Sequence, residues 1–93
     1  MPMSGEHRQR GLLKLMLKLP ALRGKLQLLS ARDPSLQSLF EAYDEATSML
    51  DRQRSSQLQD RAVLTEYELI CREIEEEVIA ICLFNEDQDM PGS

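Results

Sequence analysis

From Ser35 to Met90 the chain contains neither glycine nor proline. So long a stretch without a backbone breaker is unusual for strands and turns and ordinary for long helices. The four glycines and four prolines cluster toward the two ends. At 93 residues the chain is one domain, and with 42% hydrophobic and 29% charged residues it is globular.

Asp33-Pro34 marks a helix start, since the aspartate can accept from free backbone N–H groups and a proline fits the first turn. A heptad follows. Leu36, Tyr43 and Leu50 share one core position, and Leu39 and Ala46 the other. The pattern fails at Gln53, Gln57 and Asp60. It resumes with Leu64, Cys71 and Val78 in one position and Tyr67, Ile74 and Ile81 in the other. Ser56 and Gln59 have capping-box spacing for a second helix. The expectation is an all-α fold: an antiparallel two-helix hairpin, coiled-coil-like, turning near residues 54–57. Helix spans 34–54 and 57–84 then face residue 50 with 62 and residue 43 with 69. The heptad phase is unbroken across the gap, so one continuous helix paired as a coiled coil is the alternative.

Upstream, Leu12, Met16, Leu19, Leu22, Leu26 and Leu29 recur at helical spacing. Leu13, Leu15, Leu17 and Leu19 also alternate as a strand would, but leucine, methionine and lysine favour helix. Pro20 and Gly24 should kink or split it. This segment is an additional N-terminal amphipathic helical arm, and the domain organisation reads as a disordered tail 1–10, a basic arm 11–30, the hairpin 31–84 and an acidic disordered tail 85–93.

Charge is divided along the chain. Residues 1–30 carry six basic side chains against Glu6 alone, whereas the remainder carries five basic and fifteen acidic. The acidic body argues against nucleic acid as a partner. The second helix ends in Val78-Ile79-Ala80-Ile81-Cys82-Leu83-Phe84, apolar all round and in need of cover. In the expected register, residues 78–84 overhang the start of the first helix, opposite 28–34. The arm's leucines should cover this tip, with its basic side chains near Glu73, Glu75, Glu76 and Glu77. The candidate interaction surface is therefore Leu12, Met16, Leu19, Leu22 and Leu26 of the arm with Val78, Ile79, Ile81, Leu83 and Phe84. A hairpin with one stripe per helix buries too little to stand alone, so a homodimer or another protein partner is expected.

The patterns of catalysis are not met. His7 is the one histidine, assigned to a flexible tail, so a Glu-x-x-His metal pair cannot form and no cofactor is expected. Cys71 and Cys82 read as small buried hydrophobes of a reducing cytoplasm, too far apart on one helix to bridge. The expected protein is not an enzyme. A peripheral protein lying on anionic membrane through residues 11–29 is the alternative function. No apolar run reaches spanning length, while residues 7–32, basic and acid-free, also fit a mitochondrial transit peptide.

The stretch Leu39-Phe40-Glu41-Ala42-Tyr43-Asp44-Glu45-Ala46 resembles the opening of the YdcH-like family of short bacterial proteins. Ile74-Glu75-Glu76-Glu77-Val78 stands where that family's second helix carries a Leu-Lys-Asp-Glu-Ile-type segment. The resemblance covers about residues 32–83. It implies a bacterial, cytoplasmic helical hairpin of no established activity. The glutamate-rich second helix and the long basic arm depart from the family.

Overall fold

The computed structural model describes residues 4–88. Four α-helices make up the described chain: α1 (Ser4–Lys18), α2 (Arg23–Ser30), α3 (Pro34–Ser55) and α4 (Arg61–Gln88), with a 3-10 turn at Pro20–Leu22 between the first two. The fold is all-α, as the breaker-free stretch predicts.

Each break has a local cause. Pro20 has no N–H to continue α1, and Leu19 leaves helical geometry at φ −123°, ψ 66°. Gly24 breaks nothing and sits within α2. Asp33 caps α3 as expected: its Oδ1 accepts from the Ser35 backbone N–H at 3.0 Å and from the Ser35 hydroxyl at 2.6 Å.

The turn falls later than its capping signal suggests. The chain leaves helix at residues 56–60, so the continuous-helix alternative is excluded. Asp60 caps α4, its Oδ1 accepting from Ala62 N–H at 3.0 Å and Val63 N–H at 3.4 Å. The expected cap residues build the loop instead. The Ser56 hydroxyl accepts from Leu58 N–H, and the Gln59 amide donates to the Arg54 carbonyl.

A longer loop shifts the register. Tyr43 meets Glu75, and Arg54 meets Glu68, so α3 and α4 run antiparallel, with Tyr43 six residues beyond its expected neighbour Leu69. Residues 78–82 consequently lie alongside the first turns of α3 and do not overhang them. Val78 and Cys82 are wholly buried in one core with Leu36 and Phe40.

The N-terminal segment is more than an arm. It is helical from Ser4, so the expected disordered tail 1–10 is overturned for residues 4–10, while residues 1–3 lie outside the described ones. Of the expected acidic tail, residues 85–88 continue α4 and residues 89–93 lie outside the described ones. Helix α1 runs parallel to α3: Arg8 reaches Gln37, Gly11 touches Phe40, and Lys14 reaches Asp44 and Thr47. Parallel neighbours need a returning crossover, which α2 supplies, ending where the Ser30 carbonyl accepts from Gln37. Helix α3 is thus the central helix, flanked by α1 and α4. Helix α2 fills the cleft between them and buries Leu26 and Leu29.

Candidate functional site

The most unusual side chain is Asp44, an acid with no exposed surface on the α1 side of α3. A buried carboxylate is costly unless paired. Three cationic or potentially cationic groups of α1, at helical spacing of three and four, converge on it. His7 Nδ1 lies 2.6 Å from Oδ2, Lys14 Nζ donates to Oδ1 at 2.8 Å, and Arg10 Nη2 lies 3.4 Å from Oδ2. Because a carboxylate only accepts, His7 Nδ1 carries the proton in that contact. Lys14 also donates to Thr47 Oγ1 at 2.7 Å, and that hydroxyl in turn donates to the Tyr43 carbonyl. Burial alone would raise the Asp44 pKa. The hydrogen bonds from Lys14 and His7 and the charges of Lys14 and Arg10 outweigh it and hold the carboxyl below its usual value.

His7 is therefore part of an ordered cluster, which overturns its assignment to a flexible tail. Three of the N-terminal cations, Arg8, Arg10 and Lys14, find partners other than those expected. Instead of Glu73, Glu75, Glu76 and Glu77, Arg10 and Lys14 pair with Asp44, and Arg8 lies 3.7 Å from Glu41. The cause is that α1 docks on α3.

Between α3 and α4, beyond the N-terminal end of α2, a groove of about 370 Å³ continues the cleft that α2 fills. Tyr43, Leu50 and Cys71 lie on its floor, and Lys18, Arg54 and Arg72 are among its rim residues. The Tyr43 hydroxyl donates to Glu75 Oε2 at 2.6 Å; burial and then this bond push its pKa far above the usual phenol value. Burial, followed by the Glu75 charge, also raises the Cys71 thiol. A thiol kept protonated is a poor nucleophile. Among the described residues no group of three or more His, Cys, Asp or Glu side chains is placed to hold a metal ion.

The expected interaction surface divides in two. Leu26 and Val78 are wholly buried and Met16 nearly so. Leu12, Leu19, Leu22 and Ile81 pack against the core, and Ile79 is half-buried. These residues mostly form the protein's own interior. Leu83 and Phe84 remain exposed, at 51% and 62%. Three other leucines are more open to water still, Leu17 on α1, Leu28 on α2 and Leu58 in the α3–α4 turn, while Leu13 and Leu69 are about half exposed.

Sequence reasoning missed Asp44 and Phe40, which the heptad places off the seam. Their signal was present. Gln37, Phe40, Glu41, Asp44 and Thr47 form a second row on α3 at helical spacing, matched by His7, Arg10 and Lys14 at the same spacing on α1.

These features define an all-helical protein with a third helix latched to a helix pair by one buried carboxylate. Compared with known protein families, curated proteins and solved structures, the chain has no match.

Proposed function

We propose that this chain is a non-enzymatic interaction module that works through helix–helix packing, in the simplest case with a second copy of itself. One observation carries the reading. The seam of α4 runs past the point where its cover ends. Cys71, Ile74, Val78 and Cys82 are buried, whereas Val63, Leu64, Tyr67 and Ile70, which continue the same apolar stripe, are only half-buried, although Leu64, Tyr67 and Ile70 touch the core. Helix α1 ends at Lys18, near Tyr43 and Thr47, and α2 covers only the opposite half of α3, so this end is a projecting pair of helices. The molecule's extents of 56 × 31 × 19 Å agree with such a projection.

In this reading α3 and α4 serve as an antiparallel, coiled-coil-like hairpin and the N-terminal helices as its brace. Bundling of two such ends supplies the missing cover. The YdcH-like resemblance supports the same hairpin. A reducing compartment such as the bacterial cytoplasm suits two buried, unbridged thiols.

Light-scattering mass measurement tests the proposal. The chain should exceed its monomer mass of 10.7 kDa, and Ile70→Glu should return it to monomer with its helicity kept. A wild-type chain that stays monomeric at high concentration and captures no helical partner would overturn it.

A further inference from the structure

The basic segment has a second face that the core does not use. Residues 7–32 contain no acidic side chain. One side of α1 is consumed by α3, where His7, Arg10 and Lys14 reach Asp44 and Gly11 packs on Phe40. The other side turns leucines outward. Leu13 is 47% exposed and Leu17, one turn on, is 80% exposed. Exposed Pro20 and Ala21 follow, and Leu28 on α2 is 66% exposed. Single exposed leucines are ordinary. Two on adjacent turns of one helix, in a segment bearing exposed Lys18 and Arg23 and no acid, are a different matter.

We infer that the outward face of α1 and the start of α2 docks on an anionic lipid surface, lying in its interface. Leucines insert among the acyl chains while lysine and arginine pair with headgroup charge. The rest of the fold suits this orientation. The acids Glu66, Glu73, Glu76 and Glu77 are carried by α4, on the other flank of α3, and the acids on this side are Glu6 in the first turn of α1 and Glu41, which Arg8 approaches at 3.7 Å. Among the described residues no helix is long and apolar enough to cross a membrane, so the contact is a peripheral one. This face is separate from the projecting end of α3 and α4, and either can fail without the other.

The test is co-sedimentation of the full chain with sucrose-loaded vesicles, of phosphatidylcholine alone or mixed with phosphatidylserine. Binding should be about tenfold or more stronger on the anionic vesicles and should weaken as salt rises. The double variant Leu13→Ser/Leu17→Ser alters exposed positions, so its circular dichroism should match wild type while its binding falls about tenfold. Lys18→Glu/Arg23→Glu should lose binding to the anionic vesicles as well. Equal binding to both vesicle types, or wild-type binding by the leucine variant, overturns the inference. So does conversion of an oligomer to monomer by the leucine variant, which would assign this face to a protein copy.

Discussion

Asp44 lets one side chain report on the docking of a whole helix. Its pKa is lowered in the folded chain, so the stability it contributes is complete above the unfolded value of about 4 and is lost as pH falls through the lower folded value. Thermal melts should therefore show a fall in midpoint below about pH 4, and Asp44→Asn should flatten that fall. At neutral pH the same substitution removes the counter-charge of three groups and should cost about 2 kcal/mol in urea denaturation. Lys14→Met, which leaves His7 and Arg10 in place, should cost less. Tyr43 behaves in the opposite sense. Its raised pKa favours the neutral phenol in the fold, so its contribution is complete below about pH 10 and is lost at more alkaline pH. Tyr43→Phe should remove that alkaline loss and cost about 1 kcal/mol at neutrality, read from the same melts.

At the level of helices, two glycines that look alike in the sequence differ. A methyl group added at Gly11 would come within 1.9 Å of the Phe40 carbonyl oxygen, a backbone atom that cannot swing away. Gly11→Ala should push α1 off α3 and cost about 3 kcal/mol, with faster proteolysis near Leu19 as the second readout. At Gly24 an added methyl meets nothing within 4 Å, and the residue is helical. Gly24→Ala should raise stability by about 0.5 kcal/mol. Spacing alone gave the stripes of α3 and α4: Leu36, Tyr43, Ala46, Leu50, Cys71, Ile74 and Val78 are all buried. Hydrophobic period reports which face of a helix is covered. It does not report how many residues a turn consumes, because the gap at Gln53, Gln57 and Asp60 accommodates several loops. The register, and with it the position of the apolar tip, was lost there. The α1–α3 contact was illegible for another reason. Its centre is a glycine, a carboxylate and cations, and a search for apolar stripes passes over all of them.

Across the whole molecule, charge separates the two proposed contacts. Helix α4 carries exposed Glu66 and Glu68 beside the half-buried stripe and Glu73 and Glu77 beyond it, so pairing of two copies along α4 brings like charges together. Screening over about 10 Å at 0.1 M salt relieves such repulsion. The oligomer fraction measured by light scattering should therefore rise with salt, while vesicle binding falls. The parallel docking of α1 on α3 also bears on how the chain is made. Asp44 lies 30 residues after Lys14. At about 5–20 residues per second, a ribosome delivers it a few seconds later. Through that interval the newborn leading helix has its cations unmatched and its leucines bare, the state in which a chaperone or a nearby bilayer meets it first.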